Sequence, residues 1–515
     1  MRGSCDISVS KMLCLHIPSL IPHHFSSIDV ASPVQAAAVA GTGLLYQGSS
    51  HRMITEFLLN EIGKRPASDV NAFDREAYTL SCGISLGMVN LCQGERINGD
   101  VEGSGSAGLA DLRIEERLYR YVVGGIDDVE MRRRKEENDR LSIPSSSAAN
   151  SNEKCSCVVE GESINTDITA PGATLALGLI YMKSGNKTIA SAIALPDTHF
   201  LLEYVRPDFL MLRVIARALI LWNDVKPSRD WIESQLPPVV RKAYRQMRDA
   251  SRKASGLTGL SNFSQADDES NAMEDTQNPV DEERWKQNPS ISTSQQNQDF
   301  DRQAIRQIYA HVIAGACFGI GLRFAGTGDS EASSAIFDRV MELQELRDSN
   351  DPVSGALRPA GPVLEMCLGC AATALAMIMA GSGDLDTLKL LKTLRWRCEE
   401  DVNYGTHMTY GAAIGLLFLG GGTCTIGREP QDIAALVMSF YPRYPSTTSD
   451  NQYHLQALRN LYAIAVKQRE LRAVDVDTGE SVFVPIEVSE HRTRGWLFLV
   501  HARLILSFFL DPFLE

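Results

Sequence analysis

Cys367 and Cys370 stand two residues apart, the spacing used by zinc sites and dithiol redox motifs. Zinc binding needs partner ligands, and redox chemistry needs a strand-to-helix setting. Neither accompanies this pair, which sits in an apolar run of helical period and reads as packed thiols. Cys155 and Cys157 also lack a second pair nearby. His51, His199, His311, His407 and His454 are dispersed over different segments, and no HExxH sequence puts two of them on one helix face. Gly41-Thr-Gly43 and Gly319-Ile-Gly321 could cradle a phosphate, yet neither completes a dinucleotide fingerprint and no P-loop lysine follows. No GxSxG elbow or kinase signature occurs. These residues predict no catalytic group, no cofactor and no metal, so the chain reads as non-enzymatic.

The glycines point to architecture instead. Small-residue runs containing Gly43, Gly87, Gly178, Gly321 and Gly415 recur along the chain, with weaker versions around Ala218 and Ala376. Several close on a further glycine: Gly48, Gly326, Gly381, Gly420. Once polar inserts are set aside, the recurrence is about 40 residues, the size of one helical hairpin in an α-solenoid. The second half of each unit is amphipathic: Ile54, Phe57, Leu58 and Ile62 share one face, as do Leu385, Leu388, Leu391 and Leu394. A glycine inside a helix costs roughly 1 kcal/mol relative to alanine. That cost, repeated in register, implies helices whose backbones approach closely where Cβ is missing. The expected layout is an inner layer of Gly/Ala-faced helices and an outer layer of larger amphipathic ones. Replacing Gly321 or Gly415 with Leu is then expected to overpack the inner layer.

Composition fits this layout. The chain has 515 residues, 44% hydrophobic and 22% charged, enough for a large core. A formal charge of −14 argues against broad nucleic-acid binding. Cysteines inside apolar runs (Cys82, Cys92, Cys317, Cys367, Cys370) suit a reducing compartment. No segment reads as a membrane span, and the apolar tail Trp496 to Leu510 is short and carries His501 and Arg503.

The chain divides into a lead-in (1–32), the repeats (33–442), a small helix plus β-hairpin cap (443–489) and an atypical tail (490–515). Polar inserts fall at about 97–163, 240–303 and 346–360. The second is rich in Ser, Gln, Asn, Asp and Glu, as disordered segments are, basic at its start and acidic later. The cap places a turn at Asp477-Thr-Gly479 between two short strands.

The Gly/Ala-rich units resemble proteasome/cyclosome repeats. Pro171 to Leu179, His311 to Cys317, Arg323 to Gly326, Met379 to Gly383 and Gly415 to Gly422 look like the repeats of the largest scaffold subunits of the anaphase-promoting complex. The non-repeat run Asp450 to Arg459, followed by Val474 to Asp477, matches in the same order. The resemblance covers about 12–488 outside the inserts. It implies an all-α toroid, an α-solenoid of helical-hairpin repeats with a small mixed α/β element near its end. It also implies a non-catalytic scaffold in a multisubunit ubiquitin ligase that marks mitotic regulators for degradation. The partners implied are a Doc-domain subunit, a cullin–RING module, helical-repeat subunits and a coactivator, in the nucleus and cytoplasm. Family members are much longer and carry a β-propeller, and the tail from about 490 diverges, which suggests a fragment, an isoform or an incomplete gene model. The alternatives are a proteasome regulatory-particle scaffold with the same repeats, or a generic peptide-binding solenoid.

Overall fold

A computed structural model describes residues 2–21, 30–64, 72–98, 108–124, 164–254, 291–448, 450 and 456–469. It also describes short stretches at 473–474, 478, 481–482, 486–492 and 498–504. The chain forms two compact units, Met1–Lys467 and Gln468–Glu515. The first is predominantly helical.

Seven helices of this unit share the small-residue texture: Ser32–Leu45, Ala72–Val89, Thr166–Ile180, Pro207–Ile220, Ile291–Arg323, Gly361–Ile378 and Tyr404–Leu417. Each packs on the next in chain order. Those in the middle of the series are buried on all sides; Thr166–Ile180 is enclosed from Ile168 onward. Amphipathic helices cover them, and Arg52–Gly63, Ser330–Asp348 and Leu385–Arg395 each lie on the inner helix that follows. Arg302–Arg323 and Gly361–Ile378 are apolar and long enough to cross a bilayer, but 83% and 78% of their apolar windows are buried inside the protein. An inner helix covered on every face needs that composition.

The link from inner to outer helix follows one local pattern. The inner helix ends at a residue with left-handed backbone, a second follows two positions later, and a polar side chain then caps the outer helix. Gly326 and Gly328 have φ of +67° and +63°, and Asp329 accepts from Ala332 N at 2.8 Å. Gly381 and Gly383 (φ +72° and +64°) precede Asp384, which accepts from Thr387 N at 2.8 Å. These turns also join neighbouring units. The amides of Gly326 and Gly328 donate to the carbonyls of Met377 and Ile378 at 2.8 and 2.9 Å. Gly381 and Gly383 do the same to Leu416 and Leu417, and Gly48 and Ser50 to Met88 and Val89. The last carbonyls of an α-helix have no partner within it, so each turn satisfies the open end of the next inner helix. Lys183 and Gly185 repeat the arrangement on Leu219 and Ile220.

The register glycines make the close approaches. A Cβ on Gly43 would lie 2.7 Å from Ser85 Cα, one on Gly87 3.2 Å from Ala176 Cα, one on Gly178 3.0 Å from Ala216 Cα and one on Gly321 2.8 Å from Ala374 Cα. Each contact falls two residues before the next helix's own anchor, so neighbouring inner helices pack with a constant offset. Gly48, Gly326, Gly381 and Gly420 are turn residues with positive φ, and Gly326 is also closely packed, since a Cβ there would lie 2.5 Å from the Ile426 carbonyl.

Gly415 departs from the expectation. Nothing lies within 4 Å of a Cβ placed there, and the residue is exposed. Tyr404–Leu417 is the last inner helix in the series, so this register position has no helix to meet. The insert boundaries also change. Of 240–303, residues up to Ala254 complete the helix Pro238–Ala254 and those from Ile291 belong to Ile291–Arg323; 255–290 lie outside the described residues. Within 346–360 the chain forms the short helix Pro352–Leu357, and within 97–163 the helix Ile114–Val123. Their regular apolar positions (Leu118, Val122, Leu357) bury against the repeats, which the polar composition of the surroundings concealed. The remainder of that first insert, 99–107 and 125–163, is outside the described residues.

In the second unit, Ala473–Val474 pairs antiparallel with Ser481–Val482, and Ile486–Arg492 with Phe498–Leu504. The small helix expected within 443–489 is a 3-10 helix over Gln456–Ala465, in the first unit, and residues 451–455 lie outside the described set.

Candidate functional site

The residues with chemical potential are held apart. Cys367 and Cys370 lie buried on Gly361–Ile378, where burial pushes both thiols well up, and Cys370 Sγ sits 3.6 Å from the Ala314 carbonyl. Among the described residues, no three His, Cys, Asp or Glu side chains converge as metal ligands would. His51 accepts from Ile54 N at 3.5 Å and starts a helix, while His199 and His407 are exposed. Cys155, Cys157 and His454 lie outside the described residues. Gly41 to Gly43 and Gly319 to Gly321 lie in mid-helix with their amides committed to the helix ladder, so neither forms a phosphate cradle.

The structure brings a different set together. After the last inner helix, the chain forms a short strand Cys424–Ile426 and then the helix Pro430–Ser439, buried from Asp432 to Ser439. This later segment touches almost every inner unit. Pro430–Ser439 packs on the second inner helix and the 3-10 helix on the first. Lys183 Nζ donates to the Arg428 carbonyl at 3.0 Å, and Thr425 Oγ1 to the Gly326 carbonyl at 2.8 Å. Arg443 reaches Asp208 on the fourth inner helix at 3.0 Å. The Pro445 carbonyl lies against Gly405 on the seventh, at 2.3 Å from the position of an added Cβ.

Arg459 ties this segment down. It is buried, and it donates to the carbonyls of Ser439 (3.2 Å), Tyr441 (2.7 Å) and Arg443 while its guanidinium lies 4.2 Å from the Tyr444 ring centroid. Three carbonyls replace water around a cation that burial alone would disfavour. Asp432 is wholly buried, with Arg2 at 3.2 Å and Lys467 at 3.6 Å.

Between the segment and the N-terminal ends of the inner helices lies a cavity of about 360 Å³. Asp208 holds Arg206 (2.8 Å) and Arg443 (3.0 Å) at its wall. His311 is 3% exposed and its Nδ1 lies 2.7 Å from the Gln307 carbonyl. Burial holds its imidazole below the usual value, against the pull of that carbonyl and of Asp208. Glu365 is forked by Arg397 at 3.0 and 2.8 Å and also paired with Arg347. Nothing in this wall pairs a nucleophile with a base; the carboxylates of Asp208 and Glu365 are committed to arginines. The arrangement suits positioning and recognition. None of these pairs was identifiable in the sequence: Asp208 and Arg443 are 235 positions apart, and only the folded inner layer makes them neighbours.

The chain's likeness to known proteins runs through both the repeats and this later segment. Residues 7–467 match the family model described as the APC1 fifth domain. Anaphase-promoting complex subunit 1 of Mus musculus is 36% identical over 496 residues, covering 96% of this chain and 22% of the mouse protein. The Arabidopsis thaliana protein of the same name is also 36% identical, over 502 residues, covering 96% of this chain and 26% of that protein. A protein named "Negative regulator of mitosis" from Emericella nidulans is 30% identical over 492 residues. The chain thus spans about a quarter or less of the length of these curated relatives. With a match that runs from residue 7 through the segment that follows the repeats to residue 467, the chain belongs to the anaphase-promoting complex subunit 1 family, over the region that forms its fifth domain.

Proposed function

We propose that this chain is the helical-repeat domain of a non-catalytic scaffold subunit of the anaphase-promoting complex, a multisubunit ubiquitin ligase that governs mitotic progression and exit. The observation that carries this reading is the family match over residues 7–467, unbroken through repeats and axial segment. The relatives' names supply the complex and the link to mitosis. A proteasomal scaffold is not favoured, since the matched relatives are named for the anaphase-promoting complex and for mitosis.

In this reading the inner helices wrap into a toroid around the segment 425–467. Support comes from that segment's contacts with the first, second, fourth and seventh inner helices. A committed, salt-bridged interior leaves the outer helices and turns as the surfaces for other subunits. The partners are the Doc-domain subunit, the cullin–RING module, the helical-repeat subunits and the coactivator, in nucleus and cytoplasm. The test is affinity purification of the tagged chain from dividing cells, with mass spectrometry of what co-purifies. Cyclosome subunits are the expected recovery. Proteasomal ATPases, or neither set, would refute it.

A further inference from the structure

The cavity at the N-terminal ends of the inner helices holds a buried group that its ion pairs leave uncommitted. His311, 3% exposed, lines it. A carbonyl can only accept, so the 2.7 Å contact with the Gln307 carbonyl places the ring's proton on Nδ1. Nε2 is then a bare lone pair, and no donor among the described residues reaches it. Asp208 acts on the ring through its charge and is itself taken up by Arg206 and Arg443. Buried polar atoms nearly always have a partner, so this one marks a place for a ligand's donor.

The rest of the lining narrows that donor. Thr373 and Thr409 give their hydroxyl protons to the carbonyls of Gly369 and Gly405, at 2.8 and 2.7 Å, so toward the cavity their oxygens only accept. The Tyr444 hydroxyl stands beside Thr373, enclosed and without a partner in ordinary hydrogen-bond range. Phe318, Met366, Phe440 and Pro442 supply apolar surface. Asp208 and Glu365 are each paired with arginines, so neither an anion nor a cation finds an unopposed partner. His311, Cys370, Thr373 and Thr409 are buried while Pro362 and Asn403 are exposed, so the cavity has a closed floor and a rim open to solvent.

A ligand that fits is neutral and largely apolar, and carries a group that gives one hydrogen bond and takes another. A hydroxyl does both, whereas an indole N–H only gives. The volume of about 360 Å³ lies near the low end of the roughly 300–1,000 Å³ of ligand pockets. That is the scale of one aromatic ring with its flanking atoms rather than of an extended cofactor. Two phenylalanine rings and the Met366 sulfur favour an aromatic ring over an aliphatic chain, and the open rim lets the ring arrive on a polypeptide. We propose that this cavity receives a tyrosine side chain of a partner protein, its hydroxyl donating to His311 Nε2. The site adds an anchoring point at the helix N-termini to the outer surfaces, and it holds whichever complex the chain serves.

Saturation-transfer NMR on the full chain tests this, with N-acetyl-tyrosinamide, N-acetyl-phenylalaninamide and p-cresol as probes. The tyrosine probe is expected to bind about fivefold tighter than its phenylalanine counterpart, the worth of about one hydrogen bond. His311→Phe should abolish that preference, and His311→Gln, which keeps an acceptor, should retain part of it. If His311→Phe melts early, Met366→Trp, at a half-buried wall position, should block all three probes with the melt unchanged. Equal binding of the tyrosine and phenylalanine probes overturns the proposal, as does binding that survives both His311→Phe and Met366→Trp. No binding at millimolar probe leaves the cavity to water and overturns it too. Binding of p-cresol alone assigns the site to free phenols rather than to a partner's side chain, and likewise overturns it.

Discussion

Gly321 and Gly415 occupy the same place in their repeats, and the structure predicts opposite responses to the same substitution. At Gly321 an added Cβ would lie 2.8 Å from both Cα and Cβ of Ala374. Carbon atoms pack best at about 3.5–4.0 Å, so the two inner helices would have to separate by roughly 0.7–1.2 Å. Overpacking of this kind costs about 1–3 kcal/mol, while exchanging Gly for Ala within a helix returns roughly 1 kcal/mol. Gly321→Ala should therefore lower stability by up to about 2 kcal/mol, and Gly321→Leu by more. At Gly415 no atom lies within 4 Å, so Gly415→Ala should keep the propensity gain and raise stability by up to about 1 kcal/mol. Urea denaturation followed by circular dichroism reads both. Separation of the helices would also loosen the bonds from Gly326 and Gly328 to Met377 and Ile378, so hydrogen exchange at those two amides should quicken in Gly321→Ala and not in Gly415→Ala. Shifts of the same sign in the two alanine variants would refute the close-packing account of the inner layer.

Three further outcomes follow from the buried polar and sulfur groups. Glu365→Leu leaves Arg397, at 10% exposure, without its carboxylate, while Arg347 keeps Glu399 and Asp348; a loss of about 3 kcal/mol is expected, and a denaturation midpoint like the wild type's would contradict it. Burial holds His311 below its reference value of 6.5, so the unfolded chain binds the extra proton first. Stability should be intact above pH 6.5 and decline as pH falls below it, and a His311→Gln variant with the same slope down to about pH 5 would exclude this group. Burial raises the Cys317 thiol to about 12 and the Cys82, Cys367 and Cys370 thiols further. A soluble thiol reagent should label exposed Cys398 in the native protein and these four only on unfolding; native labelling of Cys370 would show that the inner layer opens.

Much of the local design is legible in the residues. The amphipathic stretches Ile54 to Ile62 and Leu385 to Leu394 form the helices their spacing implies, because a 3.6-residue period leaves one face to bury. The glycines at 43, 87, 178 and 321 meet neighbouring backbones, since only a missing Cβ allows that distance. The helices at Ile114–Val123 and Pro352–Leu357 were hidden by the polar residues around them, and their apolar positions are too few to stand out. The basic run from Arg241 to Arg252 was legible as composition, but the pairings of Asp208 with Arg443 and of Glu365 with Arg347 and Arg397 were not.

What the sequence determined by itself is the repeating unit: a small-faced helix, a left-handed turn, a polar cap and an amphipathic helix. Each is set by backbone sterics and side-chain period within a few residues of chain. The tertiary structure alone decided which equivalent residues do equivalent work. Gly321 is packed and Gly415 is open, although each lies in a Gly/Ala-rich run, because one has a following helix and the other does not. It alone made Asp208 a neighbour of Arg443 and enclosed Asp432 and Arg459. Contacts across hundreds of residues leave no local trace; they exist only once the helices and the segment that follows them have packed together.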